Sequence, residues 1–364
     1  MKKLKIGLLI PYSGVFPALK EDLSQGLMLA MPPGHEDRVS FLYEYIHMGD
    51  LKHVQEAIQK LIRFHRVDLI AGIVNTNVIG QCTDTFAPSR VPVFVHNLGA
   101  RTPTASFSNP YLRYNSLHLW KSQWEMGRWA QQQFGGLPSI SMAFYESGYS
   151  LHECFKLGAA ASGADKVILN VLRHRPDQVV DTTPLIDYLQ TQQSAHAHVL
   201  LSGKEAQHFL EQYRHTGCNT SLSISPFMAD ASLMEDQFLT EGMYHATTWS
   251  ADMNGEANRE FTAAYEERFG ERPAVFAMLG YESGRMIFND MDDTKINGPR
   301  GPVDLSTGPL SALPAVYIRK SVMRENAAVH ETVHTGQGVH WSDPSLAIGA
   351  AQELSGWQNP YLCV

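Results

Sequence analysis

Apolar runs of strand length alternate with helix-period segments, and they do so in two separate series. The first series reads "KIGLLIP" (5–11) then "EDLSQGLMLAM" (21–31), "VSFLYEYI" (39–46) then "LKHVQEAIQKLIRFH" (51–65), "VDLIAGIV" (67–74) then "VIGQCTDTFA" (78–87), and ends at "VPVFVHN" (91–97). The apolar runs are continuous rather than alternating, which suits strands covered on both faces and predicts a parallel sheet in an α/β layer fold. Asp50, directly before Leu51, is placed to cap the second helix. A Pro/Ser/Asn-rich connection from Ala100 to Ser116 interrupts the rhythm. It resumes with "HLWKSQWEMGRWAQQQF" (118–134), "SISMAFYE" (139–146), "YSLHECFKLGAAASG" (149–163), "DKVILNVL" (165–172), "TTPLIDYLQTQQ" (182–193), "HAHVLLSG" (196–203), "KEAQHFLEQYRHTG" (204–217) and "TSLSISPF" (220–227). After "EGMYHATTWS" come a helix pattern, "NREFTAAYEERFG", the phrase "ERPAVFAMLGYESGRMIF" and a hairpin-like tail from Gly298 to Trp341. Two similar lobes followed by a region that starts no third lobe imply that the chain re-crosses between them.

Composition narrows the partners. The 29 basic and 37 acidic residues give a formal charge of -8, with no Lys/Arg block to neutralise a run of phosphates, so nucleic acid is not an expected partner. The 364 residues suffice for two domains. Cys82, Cys154, Cys218 and Cys363 form no CxxC pair, which argues against a zinc ribbon or a disulfide scaffold while leaving one long-range disulfide open. "MKKLKIGLLI" begins like a signal peptide, but the apolar run covers only Ile6 to Ile10 and Pro11 ends it without a cleavage site, so it reads as the first strand. A removed upstream signal would place the protein in the periplasm or another extracytoplasmic space; Met1 as the native start would place it in the cytoplasm. No apolar stretch reaches the roughly 20 residues that span a bilayer.

"HETVH" (330–334) is a literal match to the zinc-protease pattern HExxH, which works only on a helix, where positions i and i+4 share a face. Thr332 and Val333 are β-branched and glycines follow, so the segment reads as a strand. On a strand the two histidines lie about 13 Å apart, too far for ligands that each sit about 2 Å from one metal. Gly203-Lys204 is followed by Glu205 and so is no phosphate loop, no GxGxxG follows a strand, and "GYESGR" lacks the hydrolase-elbow register. The chain therefore reads as a binding protein rather than an enzyme, with no cofactor and no metal expected.

Ligands of open α/β sheets bind beyond the carboxyl ends of the strands, and a cleft between two lobes is a preferred pocket. That rule selects, in the first lobe, Tyr12 to Phe16, Asn75-Thr76-Asn77, and Asn97-Leu98-Gly99-Ala100-Arg101-Thr102. In the second lobe it selects Tyr145 to Ser150, Ser202-Gly203-Lys204 and Ser225 to Met228, including Phe227. These loops offer neutral donors and acceptors beside apolar faces. The aromatic, polar corner after the first strand suits a small organic ligand, since phosphate favours close backbone approach through glycines.

Taken in order, "KIGLLIPYSGVFPAL", "AIQKLIRFHRVDLIAGIV", "VPVFVHNLGA", "MAFYESGYSLHECFKLGAAASGA", "EGMYHATTW", "FTAAYEERFGERPAVFAMLGYESGRM" and "GPRGPVDLS" resemble the type I periplasmic binding proteins of branched-chain amino acid transport, over nearly the whole chain. The resemblance implies two doubly wound parallel-sheet lobes joined by a three-crossover hinge, the Venus-flytrap arrangement. Crossings near Ser116, Ala246 and His330 give a first lobe of 1–116 plus 247–329 and a second of 117–246 plus 330–364. The resemblance further implies the solute-binding component of an ABC-type importer, with a membrane permease as partner and a small polar metabolite closed in the cleft. A cytoplasmic ligand sensor of the same fold, of the amide-sensor type, is the alternative; a hydrolase or zinc enzyme ranks last.

Carried over by position, Asn75 to Asn77 and Asn97 to Thr102 would grip a carboxylate or amide. Tyr149, with Tyr145 before it, matches the second tyrosine of the family's Y-D-D-x-x-Y-G stretch, and Phe276 and Tyr281 match aromatic positions near the cleft. Tyr149 is expected to bind ligand without supporting the fold. The family's amino-acid binders pair the ligand ammonium with an acid near "SISPFMAD", where Ser225 to Met228 offer none, and Arg101 faces that region from the other lobe. This departure points to an acid, an amide or an aromatic compound rather than a plain aliphatic amino acid.

Overall fold

The computed structural model describes residues 3–364 apart from 103–108, 174–180, 192–193, 219, 235, 292, 306–313, 326 and 337–356. The first series of runs forms β1 (Leu4–Ile10), α1 (Leu19–Leu29), β2 (Val39–Tyr45), α2 (Leu51–Lys60), β3 (Leu69–Ile73), α3 (Thr76–Gln81), α4 (Thr83–Phe86) and β4 (Val93–Asn97), and the end of the stretch expected as a connection adds a further strand, β5 (Leu112–Ser116), because it pairs with β4. The five strands make one all-parallel sheet in the order β2-β1-β3-β4-β5. Every residue of β3 and β4 is buried, as continuous apolar runs require of strands covered on both faces. The Asp50 carboxylate accepts a hydrogen bond from the His53 N–H at 3.3 Å, so it caps α2 as the sequence indicates.

The second series forms α5 (Leu119–Phe134), β6 (Pro138–Ala143), α6 (Leu151–Ala161), β7 (Ile168–Leu172), α7 (Thr183–Thr191), β8 (His196–Leu200), α8 (Gly203–His215), β9 (Ser221–Ile224) and β10 (Tyr244–Thr247). The chain then returns to the first lobe as α9 (Glu256–Phe269), α10 (Val275–Asn289) and a small hairpin of β11 (Lys295–Gly298) and β12 (Gly301–Asp304). It crosses once more into a long hairpin, β13 (Val316–Arg324) and β14 (Ala327–Gly336), which extends the second sheet to the order β14-β13-β10-β9-β8-β6-β7. The structure is thus an α/β protein of two lobes, one with an all-parallel sheet and one whose parallel strands β6 to β10 carry an antiparallel hairpin at one edge. One boundary differs from expectation: β13 pairs with β10 antiparallel from Tyr244 opposite Lys320 to Thr247 opposite Tyr317, so residues 316–324 belong to the second sheet. Val316 to Arg324 thus join the second sheet upstream of the crossing expected near His330. Residues 337–341, the end of the expected hairpin tail, lie outside the described residues.

Both lobes join their flanking helices through glycine. A Cβ on Gly26 of α1 would stand 2.1 Å from the Ala277 carbonyl oxygen of α10, and one on Gly158 of α6 would stand 1.9 Å from the Trp124 carbonyl oxygen of α5. Only a missing side chain lets these backbones approach so closely. All four cysteines are free thiols, so the disulfide left open by their spacing is not formed. Among the described residues no helix is long and apolar enough to cross a membrane.

Candidate functional site

The loops after β1, β3 and β4 face those after β6, β8 and β9 across one cleft. Ser150 N–H donates to the Ala100 carbonyl at 2.9 Å, Arg101 donates to the Gly148 carbonyl at 3.1 Å, and the Phe16 and Phe227 rings meet edge-on at 5.6 Å. On the first-lobe side, the polar side chains shape the loops that present them. Asn75 caps α3 by accepting from Asn77 N–H at 2.9 Å. The Asn97 amide donates to the Val74 carbonyl at 3.1 Å and the Thr76 hydroxyl at 3.0 Å, and accepts from Gly99 N–H at 3.0 Å. Gly99 adopts φ 68°, and a Cβ there would lie 2.5 Å from the Ser116 hydroxyl, so only glycine fits this bend. Leu98 and Ala100 are buried, and Thr102 N–H donates to the Ser150 hydroxyl at 3.3 Å.

The second-lobe side is aromatic. The Tyr145 and Tyr149 hydroxyls bond each other at 2.9 Å, their rings meet edge-on at 5.3 Å, and the Arg101 guanidinium lies 5.8 Å from the Tyr149 ring centre. Phe227 closes the floor with Phe16, which also packs on Phe276 at 5.2 Å. Ser202, just before α8, places its hydroxyl beside Glu146. Two expected residues stand apart. Tyr12 is 63% exposed, and Tyr281 stands where α10 meets α1 and α9, its ring 4.9 Å from Phe261 of α9 rather than among the strand-end loops.

Two features lay beyond the sequence reading: the burial of Glu146, inside the selected loop Tyr145 to Ser150, and the place of a further segment. Glu146 is fully buried, and neither carboxylate oxygen closes a hydrogen bond. The second is segment Trp357–Val364, expected only as part of the second lobe, which lies between the lobes on the loops just described. Tyr145 is the hub: its hydroxyl oxygen accepts from Leu362 N–H at 2.9 Å, and its carbonyl accepts from the Trp357 indole N–H at 2.8 Å. Arg101 donates to the Trp357 carbonyl at 2.8 Å, Asn75 to the Asn359 carbonyl at 3.3 Å, and Ser13 to the Leu362 carbonyl at 2.5 Å. With the segment in place, Asn75, Thr76, Asn97, Arg101, Tyr149 and Tyr361 border a remaining cavity of about 20 Å³. The pattern of two aromatics around Asn-Pro in "WQNPYLCV" is the only signal in the sequence that marks this segment as a packing element.

Burial pushes the Glu146 carboxyl up to about 7 from an ordinary value of 4.5, while the neighbouring Tyr361 and Ser202 hydroxyls hold it back. The folded protein therefore keeps this proton more tightly than the unfolded chain. Its contribution is full below pH 4.5 and is lost as pH rises from there through about 7. Above that window the buried charge costs on the order of 3 kcal/mol. Glu146→Gln should match wild type at pH 4 and exceed its melting temperature at pH 8. Asp22, raised to about 7 chiefly by burial, leaves a residual slope in the variant. A wild-type advantage at pH 8 would show that Glu146 is held as a stabilised carboxylate instead.

A larger cavity of about 660 Å³ lies elsewhere, between the start of α9 and the β13–β14 hairpin. Its cations are already committed: Arg300 to Glu282, Arg319 to Asp252 and Arg324 to Glu331. "HETVH" lies on β14, as the strand reading expects. His330 packs on His245 at 4.9 Å while His334 lies 3.0 Å from Glu125, so the two imidazoles serve separate neighbours.

The family model described as periplasmic binding protein matches residues 3–300. The chain belongs to this family. No curated relative matches the sequence. Among solved structures, the fold is shared with a solute-binding protein of an ABC transporter from Rhodopseudomonas palustris BisB5 in complex with 3,4-dihydroxybenzoic acid (20% identity, 93% of this chain and 98% of that one, TM-score 0.73). It is shared equally with a solute-binding protein from R. palustris in complex with 4-hydroxybenzoate (17% identity, 93% and 99%, TM-score 0.73). A branched-chain amino acid transporter substrate-binding protein from Streptococcus pneumoniae in complex with isoleucine is also similar (13% identity, 91% and 99%, TM-score 0.69). Family membership agrees with the resemblance carried by the sequence motifs, and these identities establish a common fold.

Proposed function

We propose that the protein is the solute-binding component of an ABC-type importer, extracytoplasmic and without catalytic activity, which takes a small aromatic or polar acid between its lobes and presents the closed form to a membrane permease. The observation that carries this reading is the meeting of six strand-end loops, three from each sheet, around Arg101, Tyr145, Tyr149 and Phe227. A ligand touching both lobes favours the closed state by its differential affinity. The rings supply apolar area, and the guanidinium and tyrosine hydroxyls supply polar ends. Both R. palustris neighbours described above hold hydroxylated benzoates, and the ring-rich second-lobe wall supports that class over an aliphatic amino acid. Native mass spectrometry and calorimetry against benzoates, hydroxybenzoates, amides and amino acids test the proposal. A bound compound should raise the melting temperature according to RT ln(1 + [L]/Kd). A panel in which nothing binds at millimolar concentration would overturn it.

A further inference from the structure

We infer that segment Trp357–Val364 is a displaceable internal ligand: it fills the cleft with the Tyr361 phenol in the place of a small phenolic solute, so that solute binding and seating of the segment exclude each other. This rests on the solute-binding reading above and specifies its ligand class.

The seat is built for the segment. The Tyr361 ring is buried, stacked on Tyr145 at 6.2 Å with 13° between planes, edge-on to Tyr149 at 5.0 Å, and tilted on Phe227 at 6.3 Å. Trp357 enters over Gly148, where a Cβ would lie 1.9 Å from the indole nitrogen. Side chains of both lobes bond its backbone: Ser13, Asn75 and Arg101 from one, Tyr145 and Tyr149 from the other. A carboxylate, amide or phenol would use the same donors.

The seat is also imperfect. The Tyr361 hydroxyl and both oxygens of the adjacent Glu146 are buried without a well-aligned partner, and the segment joins neither sheet. Permanent cores satisfy such groups. Leaving the cleft therefore breaks no strand ladder. It is also required, because the remaining cavity of about 20 Å³ holds about one water. A benzene-sized ring fits a cavity on the order of 150 Å³. A tethered competitor acts at an effective concentration in the millimolar range, so its removal should tighten solute binding at least about tenfold.

Cys363 reports the state of the segment in the full chain. It is fully buried, and burial pushes its thiol up, so it stays unreactive while seated. Alkylation by iodoacetamide, located by peptide mass mapping, should be slow at Cys363 in the free protein. Saturating 4-hydroxybenzoate should speed it at least about tenfold, with Cys82 and Cys154 in the lobe cores unchanged. Tyr361→Ala should label fast without any addition and bind 4-hydroxybenzoate at least about tenfold tighter. Gly148→Ala, which blocks Trp357 with the segment intact, should do the same and stands in if Tyr361→Ala fails to fold. Binding of 4-hydroxybenzoate with Cys363 labelling unchanged or slowed would overturn the inference, as would weaker binding in both variants, which would make Tyr361 a pocket wall. If no panel compound binds any of the chains, the solute reading fails, and a synthetic peptide of residues 357–364 with serine at 363 decides the remainder. Peptide binding to Gly148→Ala weaker than to Tyr361→Ala supports the internal ligand; no peptide binding to Tyr361→Ala overturns it.

Discussion

Arg300→Met should lower the free energy of unfolding by about 3–5 kcal/mol, measured by urea denaturation, while Arg300→Met with Glu282→Leu should recover most of that loss. The Arg300 side chain is 1% exposed and Glu282 is completely buried. The guanidinium donates to the two Glu282 oxygens at 3.1 and 2.6 Å, to the Ser116 carbonyl at 2.7 Å and to the Asn115 amide oxygen at 2.7 Å. One side chain thus ties the turn between β11 and β12 to α10 and to the end of β5, where the chain first leaves the lobe. Removing it strands a buried carboxylate whose desolvation is no longer offset by attraction. Removing both partners takes away the charge and its cost together, which is why the double variant should be the milder one. A loss below about 1 kcal/mol for the single change would mean that water reaches Glu282 and that the lobe opens there.

Tyr149→Ala should destabilise the unliganded protein by about 3–5 kcal/mol, and Tyr149→Phe by about 1 kcal/mol. The sequence expectation treats this tyrosine as a loop residue whose loss leaves the fold untouched. The structure corrects it: Tyr149 has no exposed surface and packs against Tyr145, Tyr361 and Arg101. Alanine leaves a ring-sized hole between the lobes, and phenylalanine loses only the hydroxyl bonds to Tyr145 at 2.9 Å and to the Asn359 carbonyl at 3.4 Å. Thermal unfolding of the three proteins without ligand decides the point. Equal melting temperatures would show that the cleft is solvated and the aromatic cluster loose.

Patterns that depend on near neighbours in the chain were legible. Period and continuity of apolar residues mark β1 to β4 and β6 to β10, because a doubly covered strand must be apolar on both faces; β5 lies in the Pro/Ser/Asn-rich stretch read as a connection, where its short LRYNS run carries no such pattern. Asp50 is readable as a cap because the N–H groups it serves lie within the next turn. The β-branched run at 330–334 declares a strand, since a helix would crowd those side chains. The general rule for open α/β sheets, with the family resemblance, selected loops that the structure does bring together, among them those of Phe16, Asn75, Asn97, Tyr145 and Phe227.

Other features depend on contacts between residues far apart in the chain. Tyr281 looked equivalent to Phe276, yet Phe276 meets Phe16 while Tyr281 sits at the contact of α10 with α1 and α9, against Phe261. Strand β13 carries the apolar character of any strand, and only its antiparallel pairing with β10 assigns it to the second sheet. Glu146 reads locally as a polar loop residue; its raised carboxyl follows from full burial beside Tyr361 and Ser202.

By itself the sequence determined an α/β protein of two parallel-sheet lobes, the caps and breaks of its elements, and the loops that end its strands, because each of these is set by local periodicity and short-range hydrogen bonding. The tertiary structure alone decided that Trp357–Val364 lies among those loops, with Tyr361 against Tyr145 and Tyr149. That segment has no period to read, and its place is chosen by side chains more than 200 positions away, which no local pattern encodes.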